Sequence, residues 1–181
     1  TLKKDYHNYY KNQDDFKYSF LNCHEDILED PKGYLEDDDY TLDQICEELN
    51  IESIWPFVQS SRGHVKSYYK KFGYSFKQNV SDEEIVYYIK AVFKLLKNIE
   101  NNFKPDIFFM PNFISLLQIM TYFYFKNKNV KIIAITNTFA TNRFVFAHDV
   151  YESTGKFFDR VKEYELTSQE AKFSEESEEI L

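Results

Sequence analysis

Two short apolar runs, at residues 107–110 and 130–135, constrain the fold of this chain more than any other feature. Residues 107–110 are a continuous apolar run, which is typical of a strand that is covered on both faces of a sheet. Residues 130–135, apolar except for Lys131, predict a second buried strand. Residues 114–125, between them, have the composition of a buried helix, and residues 126–129 form a polar turn. A strand, a helix and a strand in this order predict a parallel pair joined by a right-handed crossover.

The apolar region from residue 107 to residue 125 is also long enough to raise the question of a membrane span. Pro111, Asn112 and Gln118 interrupt it, so a strand, a turn and a buried helix explain it better. Because two strands do not make a stable sheet, further strands must come from elsewhere in the chain or from adjoining sequence. The predicted fold class is α/β, a Rossmann-like three-layer domain with a short parallel sheet.

The N-terminal half is predicted to be mostly helical. Apolar residues at helical spacing predict an amphipathic helix over residues 6–28, and Pro31 and Gly33 break it. Thr41 with Gln44 is the signature of a capping box and predicts a helix that begins directly afterwards.

A second capping box and several shorter features complete this half of the chain. Ser81 with Glu84 predicts the start of a helix whose apolar stripe runs to about Asn101. Trp55, the only tryptophan, is expected to pack in the core. Other expectations are a solvated acidic loop at residues 36–39, a turn at 60–63 and a helix at 65–76.

The length and composition limit the classes of protein to consider. At 181 residues, 43% of them hydrophobic, the chain is long and apolar enough to fold as one domain. A net charge of -8 argues against nucleic acid as a partner, although residues 66–77 form a modest basic patch. Cys23 and Cys46 lack any paired motif, which suggests free thiols in a reducing, cytoplasmic compartment.

The domain is expected to cover residues 1–166, with residues 167–181 as an acidic linker or boundary helix. Because the first residue is not Met, the chain is expected to be part of a longer protein. Glycine-rich nucleotide loops, the GxSxG elbow and the HExxH motif are missing from the sequence. No metal and no cofactor is predicted.

Polar residues follow both predicted strands, where open parallel sheets bind their ligands. Asn112 comes after the first strand, and residues 136–143, with Thr138, Asn142 and Arg143, come after the second. Amides, hydroxyls and an arginine suit a sugar or a phosphate, and we predict substrate binding here. The alternative is that they satisfy the backbone of turns.

His148 and Asp149 are the catalytic candidates, with Glu152 close by in the sequence. A histidine beside a carboxylate can act as a general base that removes a proton from a sugar hydroxyl. Adjacent side chains of an extended segment point to opposite faces, however, so surface or structural roles are the alternative. His64 beside Arg62 is a second candidate of the same kind.

Several short motifs, in order, resemble the N-terminal domain of capsule polysaccharide biosynthesis glycosyltransferases over about residues 40–165. They lie at residues 50–55, 60–62, 104–106, 142–143 and 149–152. The Asp-Arg pair of that family is Ser61-Arg62 here, and of its Arg-x-x-Asn-Arg stretch only Asn142-Arg143 is present. The resemblance adds Arg62 to the predicted substrate-binding residues.

The resemblance implies a GT-B enzyme of two domains, in which this domain presents a sugar or a lipid-linked sugar acceptor. A further C-terminal domain would bind the nucleotide sugar, so the isolated chain is expected to lack transferase activity. A lipid-linked acceptor would bring peripheral membrane contact, although no basic amphipathic helix is evident.

Two alternatives remain open. Sugar-nucleotide 2-epimerases share the order of strand, helix and strand, but they carry a glycine-rich segment where this chain has Thr and Asn. The second alternative is a non-catalytic protein-binding α/β domain, in which Tyr68 and Tyr69 would lie on the surface that binds the partner.

Overall fold

The computed structural model shows a mixed α/β fold with a helical N-terminal half and one small three-stranded sheet. The structure describes residues 8–13, 15, 17–18, 20–22, 24–61, 81–137, 144–151, 160 and 163. A helical turn at residues 8–11 comes first. The elements that follow are α1 (His24–Glu29), α2 (Pro31–Leu35), α3 (Leu42–Leu49), α4 (Trp55–Ser60), α5 (Asp82–Phe103), β1 (Ile107–Met110), α6 (Leu116–Lys126), β2 (Lys131–Asn137) and β3 (Phe144–Ala147).

The sheet has the order β1-β2-β3 and contains one parallel pair. In that pair Ile107 lies opposite Lys131 and Met110 opposite Ala134, and α6 connects the two strands. The predicted parallel unit is therefore confirmed. β3 runs antiparallel to β2, with Ala147 opposite Ala134, and this reversal was not predicted.

The sheet is covered on one face only by the described residues, so the expectation that its strands are buried on both faces is wrong. Met110 is buried, whereas Phe109 is 61% exposed on the opposite side of β1. On the covered face α6 packs against the sheet, where the rings of Phe108 and Phe125 lie 4.5 Å apart between centroids. An uninterrupted apolar run shows that both sides of a strand are apolar, but it does not show that both are covered.

The predicted helix over residues 6–28 is wrong. Residues 8–11 and α1 are helical, but the described residues between Asn12 and Asn22 are not. Phe20 is 49% exposed and packs beside Phe103 on the surface, with ring centroids 5.0 Å apart. The Asn- and Asp-rich stretch after the first turn has low helix propensity, because such side chains compete for the backbone hydrogen bonds.

The expected break is present at Asp30, between α1 and α2, but Pro31 then begins a new short helix, which was not predicted. Asp30 is the N-cap, and its Oδ1 accepts a hydrogen bond of 2.9 Å from the backbone N–H of Gly33. Proline suits the first position of a helix, since the N–H it lacks would have no partner within the helix there.

Both predicted capping boxes are confirmed, at the starts of α3 and α5. In α5, Ser81 Oγ accepts from the Glu84 N–H at 3.1 Å, and a Glu84 carboxylate oxygen accepts from the Ser81 N–H at 2.9 Å. The buried residues of α5 include much of its predicted stripe: Ile85, Ile89, Val92, Phe93 and Leu96. A third capping box, Ser115 with Gln118, begins α6.

Trp55 does not pack in the core, contrary to expectation, because it begins α4 and is 39% exposed. Phe57 and Val58 supply the inner contacts of this helix instead, and the Phe57 ring lies 5.1 Å from that of Phe123. A lone tryptophan before a proline fits the first turn of a helix, where one side commonly faces solvent.

The acidic residues 36–39 form the expected exposed loop, and α5 holds it in place with two lysines. Lys90 Nζ lies 2.6 Å from Asp39, and Lys94 Nζ lies 2.8 Å from Asp38. Lys94 also donates to the backbone oxygen of Leu35 at 2.9 Å. The carboxylates therefore neutralise lysines of α5.

Cys46 is a half-buried free thiol, and Cys23 lies outside the described residues. Most of the predicted turn at 60–63, the helix at 65–76 and the linker at 167–181 lie outside them as well. Among the described helices, none combines the length and the apolar character that crossing a membrane requires.

Candidate functional site

The carboxyl edge of the parallel pair brings two predicted binding segments to the same side of the sheet. Asn112 follows β1 directly, and residues 138–143 connect the end of β2 to the start of β3. Asn137 lies three residues beyond Ala134, which pairs with the end of β1, so β2 projects roughly 10 Å past that end. The strand pairing therefore supplies the framework of a site between the two connections.

Asn112 shapes the turn that leads from β1 into α6. Its Oδ1 accepts a hydrogen bond of 3.1 Å from the backbone N–H of Ile114, and its side chain is half-buried. Next to it, Ser115 and Gln118 form the reciprocal hydrogen bonds that cap α6. The side-chain carbonyl of Asn112 thus accepts a hydrogen bond from the backbone of the turn, as the alternative interpretation predicts. The side-chain N–H groups of Asn112 are donors suited to a sugar oxygen.

Arg62, Thr138, Asn142 and Arg143 lie outside the described residues, as do His64 and Glu152. Their roles remain predictions from the sequence.

His148 and Asp149 lie at the opposite edge of the sheet from Asn112. Because β3 is antiparallel, the chain leaves it beside the start of β2, and His148 Nδ1 lies 3.2 Å from the backbone oxygen of Ile132. A strand rises about 3.3 Å per residue, so His148 is separated from the end of β2 by roughly 13 Å. The structure therefore places the catalytic candidates away from Asn112 and from the end of β2.

Asp149 binds other partners than His148. Its two carboxylate oxygens accept from Lys126 Nζ at 3.1 Å and from the Tyr151 N–H at 2.9 Å. Partial burial alone would raise the pKa of Asp149, but these donors and the nearby Tyr122 hydroxyl lower it. A carboxylate that is held ionised in this way is a poor proton donor and acceptor near neutral pH.

Tyr122 is the buried centre of this small cluster. Its hydroxyl has no well-aligned hydrogen-bond partner among the described residues, although Lys126 and Asp149 lie close to it. Burial raises the pKa of Tyr122 and keeps the phenol neutral. The cluster attaches the segment after β3 to α6.

His148 keeps the tautomer that a general base requires. Since a backbone carbonyl only accepts hydrogen bonds, Nδ1 must carry the hydrogen that bonds to Ile132, which leaves the lone pair of the neutral ring on Nε2. His148 lies at the amino edge of β2.

A second polar cluster, which was not predicted, connects α3, α5 and the end of α6. The buried hydroxyl of Tyr124 donates a short hydrogen bond to Glu100. Lys128 Nζ lies 2.9 Å from Glu100, 3.1 Å from Glu48 and 4.3 Å from the centre of the Tyr124 ring. These mutual contacts indicate a structural role for the cluster. No spacing rule identifies it, because its members are far apart in sequence.

We expect Glu100→Gln to remove part of the acid sensitivity of the fold. Burial alone would raise the pKa of Glu100, but the hydrogen bonds from Tyr124 and Lys128 outweigh it and lower the pKa below the ordinary 4.5. The folded state then binds the proton less readily than the unfolded state, so this stabilisation is complete above about pH 4.5 and is lost as the pH falls further.

Urea unfolding at neutral pH and at about pH 3 measures this effect. At neutral pH the variant should be less stable by about 0.5–1 kcal/mol, a range that allows for solvent screening of a partly exposed pair. The difference in free energy of unfolding between the variant and the parent should be smaller at about pH 3. Glu47→Gln, on the exposed side of α3, is the matched control. A difference that stayed constant with pH would exclude Glu100 as the titrating group.

Within the described part of the chain, no group of three or more His, Cys, Asp or Glu side chains is arranged to hold a metal ion. Comparisons with protein-family models, with curated proteins and with solved structures found no match to this chain.

Proposed function

We propose that this chain is the acceptor-side part of a GT-B glycosyltransferase that acts in surface polysaccharide synthesis. The observation that carries the proposal is the parallel unit β1-α6-β2, because both polar connections leave its strands at the same edge. Ligands of open α/β sheets bind at this edge. The order of motifs shared with capsule polysaccharide glycosyltransferases supplies the choice of a sugar as ligand.

In this proposal the carboxyl edge binds the acceptor, a sugar or a lipid-linked sugar. Asn112 donates from its amide, and Thr138, Asn142 and Arg143 contact the sugar from the connection after β2, with Arg62 beside them. The full domain is Rossmann-like with three layers, and a separate domain binds the nucleotide sugar. His148 and Asp149 are not part of this acceptor site. A catalytic role for them would require a second site, at the edge of the sheet where β2 begins.

One observation favours a non-catalytic protein-binding domain as a second candidate. Ile107, Phe109, Phe144 and Phe146 are each more than half exposed on the sheet. Exposed apolar patches of this kind commonly mark interaction surfaces. The docking surface would then be the sheet face, not the predicted Tyr68 and Tyr69, which lie outside the described residues.

Saturation-transfer difference NMR on the purified chain tests the glycosyltransferase proposal. We expect saturation to reach acceptor-like oligosaccharides, and we expect no turnover of nucleotide sugars. Silence from every sugar would favour the protein-binding domain. Turnover of a nucleotide sugar by this chain alone would show that the donor site is not in another domain.

Asn112→Asp provides a variant that separates binding from folding. The aspartate can still accept the hydrogen bond from the Ile114 N–H, but it has no amide to donate to a sugar. We expect the saturation signal to decrease while the unfolding transition stays close to that of the parent. Asn127→Asp, an exposed change at the opposite end of α6, introduces the same charge and should leave the signal unchanged. Equal signals in both variants would exclude Asn112 from the site.

A further inference from the structure

One face of the sheet is mostly apolar, and we call it the open sheet face. Side chains alternate between the faces of a strand, and the register aligns the positions of neighbouring strands. The apolar positions on this face are Ile107, Phe109, Ile133, Ile135, Phe144 and Phe146. Lys131 and Asn137, at the first and last positions of β2, belong to the same face. None of these residues is acidic, although the chain has 30 acidic residues, so the face lacks the charge that keeps the rest of the surface apart from other copies.

The apolar positions form one patch that runs diagonally across the strands. Phe109 and Phe146 are 61% and 54% exposed, and their ring centroids lie 6.4 Å apart across β2. Ile107 and Phe144 extend the patch in opposite directions and are 56% and 63% exposed. The exposed residues of β1 therefore lie beside the first half of β2, and those of β3 lie beside its second half.

This diagonal arrangement is complementary to a second copy turned end over end. A two-fold axis that lies between the two sheets and crosses β2 at Ala134 places the two β2 strands over each other in opposite directions. Ile133 then faces Ile135 of the second copy. The two Phe109 rings lie on opposite sides of the axis, so they pack side by side and do not collide. Position 131 meets position 137, which keeps the two exposed lysines at opposite ends of the contact.

The area of the open sheet face is sufficient for a weak, specific dimer. Three phenylalanines and one isoleucine that are each more than half exposed, two half-buried isoleucines and the exposed Lys131 together present roughly 600 Å². Two copies would bury about 1,200 Å² in total, which is at the lower limit of stable interfaces between proteins. An interface of this size with an aromatic centre is expected to have a dissociation constant in the micromolar range.

We propose that two copies of this chain associate through their open sheet faces as a symmetric dimer. Since α6 packs on the other face of each sheet, the dimer is a stack of helix, sheet, sheet and helix, with the two sheets about 10 Å apart. The contact gives each exposed ring of one copy an apolar neighbour in the other. The proposal does not depend on whether the chain binds sugars.

Sedimentation equilibrium of the full chain, from about 1 to about 200 μM, tests the association. We expect monomers at the low end of this range and dimers at the high end. Phe109→Lys should weaken the association about tenfold or more, because the two-fold axis brings both new charges together in the centre of the contact. Phe103→Lys, the same change at an exposed aromatic at the end of α5, should leave it unchanged. Phe144→Lys is a second variant of the face, and circular dichroism checks that each variant is folded.

Photo-crosslinking tests the orientation of the two copies. With p-benzoylphenylalanine at position 109 and a mixture of ¹⁴N and ¹⁵N chains, we expect links between copies that join this residue to the peptide containing β1. A chain that stays monomeric, equal weakening by Phe109→Lys and Phe103→Lys, or links between copies that reach only helices would overturn the proposal. A monomer that binds lipid vesicles and loses this binding in Phe109→Lys would assign the face to a membrane instead.

Discussion

Replacing Ile89 by alanine is expected to lower the free energy of unfolding by about 2–5 kcal/mol, the usual cost of such a change in a core. Ile89 has no exposed surface, and it lies near the middle of the apolar side of α5. The substitution removes buried methyl groups and leaves a cavity that rigid neighbours fill only in part. Urea unfolding followed by circular dichroism measures the loss.

The large expected effect follows from the position of α5 in the fold. This helix contacts α1, α2, α3 and α6, so a cavity along it weakens both the helical half and the layer that covers the sheet. For a chain of this length the midpoint of thermal unfolding should fall by roughly 5–15 °C.

A matched control lies on the same helix. Glu83 is exposed in the first turn of α5, and Glu83→Ala should change the free energy of unfolding by less than about 0.5 kcal/mol, as exposed sites usually do. If Ile89→Ala cost no more than Glu83→Ala, α5 would not be the centre of the core.

The parts of the fold that the sequence predicts correctly depend on interactions between residues that are close along the chain. Thr41 with Gln44 and Ser81 with Glu84 form their capping boxes over three residues, so their pattern is complete in the sequence. The β1-α6-β2 unit can also be predicted, because the polar residues 111–112 and 126–129 separate its helix from the two apolar strands.

The errors concern properties that depend on distant residues. Whether Trp55 is buried, or Phe109 is covered, depends on which elements pack against α4 and β1, and the apolar character of a side chain does not determine this. The predicted helix over residues 6–28 fails for a similar reason. Its apolar spacing is real, but Phe20 packs beside Phe103 on the surface rather than in the core.

The candidate site, too, can be predicted from the sequence only where it depends on residues that are close along the chain. A parallel pair places Asn112 and the connection after β2 at one edge without further information, so this part of the site follows from the sequence. His148 and Asp149 follow these residues closely in the chain. The antiparallel direction of β3 separates them, and direction is set by pairing with β2, which no residue near His148 indicates.

Arg143→Ala is expected to abolish the saturation signal of acceptor sugars. Arg143 immediately precedes Phe144, whose backbone pairs with Asn137 at the end of β2, so the chain enters β3 at the carboxyl edge. An arginine offers five N–H donors in a fixed plane, which suits the several oxygens of a sugar or a phosphate. A hydrogen bond that involves a charged group contributes about 1.5–3 kcal/mol, so its loss weakens binding by roughly tenfold to more than a hundredfold.

Arg160→Ala is the matched control, because it removes the same charge from an exposed helical position that is not among the predicted binding residues. A general effect of net charge would reduce the signal equally in both variants, whereas a direct contact reduces it only in Arg143→Ala. Arg143→Lys sharpens the distinction, since lysine keeps the charge but not the planar donors. We expect this variant to recover only part of the affinity. Full affinity in Arg143→Ala would remove this arginine from the site, and the acceptor would then depend on Asn112 and its neighbours alone.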